Sequence, residues 1–102
     1  MPSVAVVTGA SSGIGLATTR ALAAVGWKVI ATARRPETAE SLRGIAEELP
    51  GVELRTLDVT SDHSVDLCIS SILTDLGRID LLVNNAGAGH RGTLEQLTMD
   101  EL

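Results

Sequence analysis

Residues 8–15 read Thr8-Gly9-Ala10-Ser11-Ser12-Gly13-Ile14-Gly15 and lie between a short β-branched segment, Ser3–Val7, and a helical pattern from about Ser12 to Val25. The first segment predicts a buried strand and the second predicts a helix. Glycine allows a tight turn and a close approach of the backbone to a phosphate, and a helix N-terminus offers free N–H groups with partial positive charge. This context favours a phosphate-binding loop, and the alternative interpretation is a glycine-rich turn without a ligand.

Strand and helix patterns continue to alternate as far as about residue 84. Further strands are predicted over Trp27–Ala33, Val52–Leu57 and Ile79–Asn84. Between them lie two helices, whose apolar faces consist of Leu42, Ile45, Ala46 and Leu49 and of Val65, Cys68, Ile69, Ile72 and Leu76. This order predicts an α/β fold with a parallel sheet of about four strands and with three helices distributed over both of its faces. After strand four we expect a glycine-rich loop, Asn85–Thr93. Thr98-Met99-Asp100-Glu101 matches the capping box that starts a helix, and the alternative interpretation is a chance match in a polar segment.

The composition is typical of one small folded domain. Of the 102 residues, 44% are apolar and 21% are charged. The net charge of −5 and the absence of a basic run argue against a nucleic-acid-binding protein. A single cysteine, Cys68, cannot form an internal disulfide or by itself a metal site. The sequence shows no signal-peptide pattern and no run of the roughly 20 apolar residues that span a membrane, so a cytoplasmic protein is expected.

Three motifs follow the predicted strands in order. The glycine loop supplies Thr8, Gly9, Gly13 and Gly15, Asp58-Val59 follows the third strand, and Asn84-Asn85-Ala86-Gly87 ends the fourth. With its Thr-Gly-x-x-x-Gly-x-Gly spacing, the sequence resembles the short-chain dehydrogenase/reductase family. The resemblance covers the whole chain but only the first part of the family's length. It implies a Rossmann-like dinucleotide-binding domain, here incomplete and truncated before the catalytic segment.

The resemblance also implies which residues surround the dinucleotide. The glycine loop would wrap the pyrophosphate and the adenine ribose, the acid after strand three would contact the adenine ring, and the Asn-Ala-Gly segment would line the path to the nicotinamide. Together with two arginines considered below, the expected cofactor-binding residues are Gly9, Ser11, Ser12, Gly13, Ile14, Gly15, Arg34, Arg35, Asp58, Val59, Asn85, Ala86 and Gly87. Asn84 is expected to brace neighbouring strands. For Asp58 the alternative interpretation is a turn or helix-capping residue ahead of Thr60-Ser61.

The end of strand two bears on the choice of cofactor. An acid at this place would bond the ribose 2′-hydroxyl of NAD, whereas an arginine would pair with the 2′-phosphate of NADP. The sequence has Ala33 where NAD-binding relatives carry their acid, and Arg34 and Arg35 follow it. Guanidinium groups donate paired hydrogen bonds to phosphate, so NADP(H) is predicted over NAD(H). The alternative interpretation is a pair of solvated surface arginines.

Catalytic residues are not found in this sequence. The family resemblance implies a Ser, a Tyr with a Lys four residues after it, and an Asn on the helix after strand four. The chain has no tyrosine, and its one lysine, Lys28, lies in the second strand. Because acid–base catalysis needs its proton donor within hydrogen-bond reach of the reacting oxygen, no catalytic residue and no metal ligand is assigned.

Three functions are therefore carried forward. The first is the NADP(H)-binding part of a short-chain dehydrogenase/reductase, which transfers hydride between a nicotinamide and a carbonyl or alcohol, without catalytic competence of this chain alone. The second is a non-catalytic nucleotide-binding or partner-docking module, and the third is an inert truncated product. Truncation also predicts that strand four, through Ile79–Val83, is an exposed edge at which the chain could associate.

Overall fold

A computed structural model describes residues 2–11, 13–36, 39–84 and 93–95. Strands and helices alternate along the chain as the sequence patterns predict, with element bounds within two or three residues of the predicted ones wherever a bound was predicted. In chain order the elements are β1 (Val4–Thr8), α1 (Gly13–Ala24), β2 (Lys28–Ala33), α2 (Glu40–Glu48), β3 (Val52–Thr56), α3 (Asp62–Leu76), β4 (Leu81–Asn84) and β5 (Thr93–Glu95). No helix in this described part of the chain has the length and apolarity needed to cross a lipid bilayer.

The sheet has the strand order β3-β2-β1-β4-β5. The first four strands run parallel, with β1 between β2 and β4. The parallel, Rossmann-like arrangement predicted from the sequence is thus confirmed. β2 and β3 lie on one side of β1, and β4 lies on the other side. The connections therefore diverge between β1 and β4, and a crevice opens at the carboxyl ends of these two strands. In α/β sheets of this kind, ligands bind in that crevice.

The prediction of an exposed edge at β4 is wrong. β5 pairs antiparallel with β4, with Leu82 opposite Glu95, Val83 opposite Leu94 and Asn84 opposite Thr93. Residues 82–84 of β4 are therefore paired on both sides, so the exposed edge on which the expected association depended is not found there. The sequence does not predict β5, because three residues are too few to show an alternating pattern and Thr93 ends a glycine-rich segment that is typical of a loop.

Apolar side chains of the sheet point to both faces. On one face Val7, Val29 and Ala31 pack with Leu42 and Ile45 of α2, and α1 covers the same face through partly buried leucines. On the other face the sheet packs against α3, in a cluster of Val4, Val6, Ile30, Leu57, Cys68, Ile72 and Ile79. This two-sided burial explains why β1 is apolar from Val4 to Val7, as in other parallel sheets covered by helices.

Candidate functional site

The loop after β1 begins at Thr8 and turns sharply. Gly9 and Gly13 have φ angles of +60° and +58°, a region that side-chain-bearing residues rarely adopt. Between them the buried residue Ala10 donates its N–H to the carbonyl oxygen of Thr32 at 3.0 Å. Ala10 therefore anchors the loop on the end of β2, and the two glycines supply the conformations that the turn requires.

The start of α1 lies directly behind this loop. Gly15 is buried, and its carbonyl oxygen accepts a hydrogen bond from the buried Thr19 hydroxyl at 2.9 Å. The first turn of α1 contains no acidic residue, so no carboxylate of the helix neutralises its partial positive charge. Ile14 keeps its side chain 60% exposed beside the loop. Ser12 lies outside the described residues.

Thr8 and Asn84 connect β1 and β4 at the strand ends. The two residues stand opposite each other in the register, and the Thr8 hydroxyl lies 3.3 Å from both the Val83 carbonyl oxygen and Asn84 Oδ1. This contact agrees with the bracing role expected of Asn84. The remaining residues of that motif, Asn85, Ala86 and Gly87, lie outside the described residues, so their expected role stays a prediction.

An open cleft of about 980 Å³ lies at the ends of β1, β2 and β3. Its lining brings together four of the predicted cofactor-binding residues from three separate segments, namely Ser11, Arg34, Arg35 and Asp58. The rest of the lining comes from the end of β2 and the start of α2, through Ala33, Ala39, Glu40 and Ser41. The other predicted residues in the described part, Gly9, Gly13, Ile14, Gly15 and Val59, belong to the adjoining loops and to the start of α1.

Sequence patterns missed the contribution of α2 to this cleft. The predicted helix was recognised from its apolar face, which includes Leu42 and Ile45, and no starting residue was assigned. A usable signal was nevertheless present, because a helix that connects two parallel strands must begin at the edge where the first strand ends. That rule places the first turn of α2, beginning with Glu40, beside the arginines that follow β2.

Arg34 has an exposed guanidinium that the described residues do not use. Among them it makes no hydrogen bond and no ion pair, although its positive charge helps to lower the pKa of Asp58 across the cleft. Arg35 is exposed as well and lines the same cleft. As far as the described residues are concerned, the guanidinium N–H groups of Arg34 are therefore available to an anion, at the place where the sequence predicts a phosphate.

Asp58 forms a local turn as well as lining the cleft. Its Oδ1 accepts hydrogen bonds from the Thr60 hydroxyl and backbone N–H, and these bonds, more than the charge of Arg34, hold the pKa of Asp58 below its usual value. The helix cap of α3 is Ser61, whose hydroxyl accepts a hydrogen bond from the Ser64 N–H at 3.2 Å. The turn interpretation of Asp58 is therefore confirmed, whereas contact with an adenine ring stays a prediction.

Comparison with known proteins gives a consistent result. The profile of the family described as short chain dehydrogenase matches residues 3–102. A 3-ketodihydrosphingosine reductase from Bacteroides thetaiotaomicron is 37% identical over 101 residues, which cover 99% of this chain and 34% of that protein. A 3-oxoacyl-(acyl-carrier-protein) reductase from Thermotoga maritima is 45% identical over 85 residues, covering 82% of this chain and 35% of that protein.

A solved structure is similar in both fold and sequence. It is a metagenomic short-chain oxidoreductase in complex with NADP, with a TM-score of 0.75 and 40% identity, covering 85% of this chain and 40% of that one. The chain thus spans about a third of the length of the curated relatives that it matches.

Proposed function

The chain belongs to the short-chain dehydrogenase family, and from this premise we propose that it is the NADP(H)-binding part of an oxidoreductase acting on a carbonyl or alcohol. The observation that carries the choice of cofactor is the exposed guanidinium of Arg34 beside the cleft at the end of β2, which makes no hydrogen bond or ion pair with the residues that the structure describes. The solved relative that contains NADP supports a dinucleotide in this fold.

The residues of the chain suit separate parts of such a cofactor. The positive-φ glycines allow the loop to approach a pyrophosphate, and the N-terminus of α1 stabilises its negative charge. Ser11 adds a hydroxyl donor on the same side of the cleft. Bound there, the nicotinamide ring of the cofactor would supply or accept the hydride. These residues would bind and orient the cofactor.

Selection of the phosphorylated cofactor follows from the charges at the end of β2. Ala33 offers no carboxylate to a ribose 2′-hydroxyl, whereas Arg34 can donate two parallel hydrogen bonds to a 2′-phosphate. Arg35 adds a second positive charge to the same cleft. We therefore propose tighter binding of NADPH than of NADH.

Hydride transfer by the whole enzyme would require groups that this sequence does not contain. The sequence has no tyrosine, and Lys28, its one lysine, pairs with Glu53 at 3.3 Å on the neighbouring strand. We propose that residues 1–102 supply cofactor binding within one domain whose acid–base groups lie elsewhere in the sequence of the enzyme. A cytoplasmic location stays a prediction.

Cofactor titration of the full chain tests this proposal. We expect calorimetry to show tighter binding of NADPH than of NADH, and we expect Arg34→Ala to weaken NADPH binding more than NADH binding. Arg20→Ala is the matched control, because Arg20 is an exposed arginine that pairs with Glu48 instead of lining the cleft. Equal losses for both cofactors in Arg34→Ala would contradict the NADP assignment.

The same titration separates the other two functions. Binding of NADPH without turnover of any carbonyl substrate is expected both for a cofactor-binding part and for a non-catalytic nucleotide-binding module. Absence of binding at millimolar NADPH would instead favour an inert product. Turnover by the pure chain would contradict the proposal that its acid–base groups lie elsewhere.

A further inference from the structure

We propose that Glu40 restrains the preference of this cleft for the 2′-phosphorylated cofactor, so that the site selects NADPH less strongly than its two arginines would by themselves. The inference rests on the proposed function, because it concerns which dinucleotide the same cleft holds. It assigns a specificity-determining role to a residue that no sequence motif marks.

The position of Glu40 carries the first step. It is the first residue of α2, and it lines the same cleft as Arg34 and Arg35 although six residues of chain, 34–39, separate it from β2. Its side chain is exposed. A carboxylate is therefore present in the cleft where the two guanidinium groups would receive a phosphate.

The second step concerns what holds this carboxylate. Within the described residues Glu40 makes no ion pair and no side-chain hydrogen bond, so no cation there neutralises its charge. Asp58, the other acid of the cleft, differs in this respect because Thr60 donates two hydrogen bonds to its Oδ1. Of the two acids in the described lining, Glu40 is thus the one whose carboxylate accepts no hydrogen bond from a neighbouring described residue.

The third step is the charge balance. Among the described residues that line the cleft, two are arginines and two are acids, so the formal charges of this set cancel. A phosphate monoester brings about −1.5 to −2 charges at pH 7, and a carboxylate close to it opposes its binding. A ribose 2′-hydroxyl carries no charge and can donate a hydrogen bond to a carboxylate. Glu40 therefore disfavours the phosphorylated ribose relative to the unphosphorylated one.

Two charge variants of Glu40 test the inference, with cofactor affinities measured by calorimetry on the full chain. In Glu40→Gln, removal of one negative charge is expected to raise the ratio of NADPH to NADH affinity by about two- to fivefold, the range of exposed ion pairs. Glu40→Lys changes the charge by two units, so its effect should be on the order of tenfold. Both increases should shrink at high salt, because exposed charges are screened.

Glu47→Gln is the matched control. Glu47 is an exposed acid on the same helix that does not line the cleft, so its variant changes the net charge equally without changing the cleft. It should leave the affinity ratio unaltered. Thermal melting of each variant without cofactor checks that α2 remains folded, since an acid in the first turn also stabilises its helix.

The outcomes distinguish this inference from the proposed function. If Arg34→Ala lowers NADPH affinity selectively while both Glu40 variants keep the wild-type ratio, the role of Glu40 is overturned and the NADP assignment stands. An equal gain for NADPH and NADH in the Glu40 variants also overturns it. If Arg34→Ala has no selective effect, or if the wild-type chain binds neither cofactor, the proposed function fails and the inference fails with it.

Discussion

Thr60 donates two hydrogen bonds to a single carboxylate oxygen of Asp58, from its hydroxyl at 2.6 Å and from its backbone N–H at 3.0 Å. Both bonds favour the ionised acid, and they are the main reason that the pKa of Asp58 lies below its usual value. The arrangement orders the turn between β3 and α3 while Asp58 lines the cleft at the strand ends. A residue of the candidate site is thus held in position by its own loop.

The first prediction concerns the pH dependence that follows from Asp58. Because its pKa is lower in the folded state than in the unfolded chain, its ionised form stabilises the fold above the unfolded value near 3.8, and this contribution is lost as the pH falls through the folded pKa. We therefore expect Asp58→Ala to be less stable than wild type at neutral pH, with a difference that shrinks below about pH 4. Urea denaturation across this range provides the measurement.

Asp58→Asn serves as the comparison for this test. Its amide oxygen can still accept from Thr60, but it carries no charge and does not titrate. We expect the free energy of unfolding of Asp58→Asn to lie between those of Asp58→Ala and wild type at neutral pH. The difference between Asp58→Asn and wild type should also shrink as Asp58 of the wild type becomes protonated. A stability gap of Asp58→Ala that is the same at pH 7 and pH 3 would contradict the prediction.

The second prediction concerns the start of β1. Asp80 Oδ2 accepts hydrogen bonds from the Val4 backbone N–H and from Arg78 Nε, both at 2.8 Å. Arg78 is the main cause of the lowered pKa of Asp80, and the Val4 bond adds to it. Asp80→Ala should reduce the free energy of unfolding by about 1–3 kcal/mol at neutral pH, because it leaves a strand N–H without its charged acceptor.

This loss should again fade with acidification, since the contribution of Asp80 is present above about pH 4 and disappears as the pH falls through its lowered pKa. Asp66→Ala is the control, because Asp66 is an exposed acid on α3 with no side-chain hydrogen bond among the described residues. An equal loss of stability in the two variants would refute a specific role of the Val4 contact.

The third prediction compares two glycines. Gly44 lies in the interior of α2, and a Cβ added there would meet no atom within 4 Å. Gly44→Ala should therefore stabilise the protein by about 0.5–1 kcal/mol, the helix-propensity difference between these residues. Gly13→Ala also meets no atom, but its φ of +58° strains any side-chain-bearing residue, so it should destabilise by about 1–2 kcal/mol. Urea denaturation should show that the free energy of unfolding rises in Gly44→Ala and falls in Gly13→Ala. A change in the same direction for both variants would disprove the conformational explanation.

The fourth prediction concerns Thr8 at the junction of β1 and β4. Thr8→Val keeps the shape of the side chain but removes the hydroxyl that lies 3.3 Å from the Val83 carbonyl oxygen and from Asn84 Oδ1. Since Thr8 is buried, we expect a loss of about 1 kcal/mol in unfolding free energy and weaker cofactor binding through displacement of the loop. Thr8→Ser, which retains the hydroxyl, should recover cofactor affinity. If the cofactor affinity of Thr8→Val equals that of the wild type, Thr8 does not position the loop for cofactor binding.

Much of the site could be predicted from sequence because its residues follow strands. Ser11, Arg34 and Asp58 each come shortly after a different predicted strand, and parallel strands bring their ends to one edge of the sheet. The strand pattern was therefore enough to predict that these residues lie together in one cleft. The Thr60 bonds to Asp58 could not be predicted in the same way, because they depend on the turn conformation as well as on the order of the residues.

The alternation of apolar strands and amphipathic helices was sufficient for the α/β class and the parallel sheet, because each element must bury its apolar face against another. The glycine spacing likewise predicted a tight turn after β1, which the positive φ angles of Gly9 and Gly13 confirm, whereas phosphate binding by this loop stays a prediction. Which strand lies at the sheet edge, and which acid shares a cleft with Arg34, depended on how the chain turns after β4 and after β2. β5 and Glu40 carry no periodic or motif signal, since their roles arise only when hydrogen-bonded strands and a helix terminus are brought together by folding.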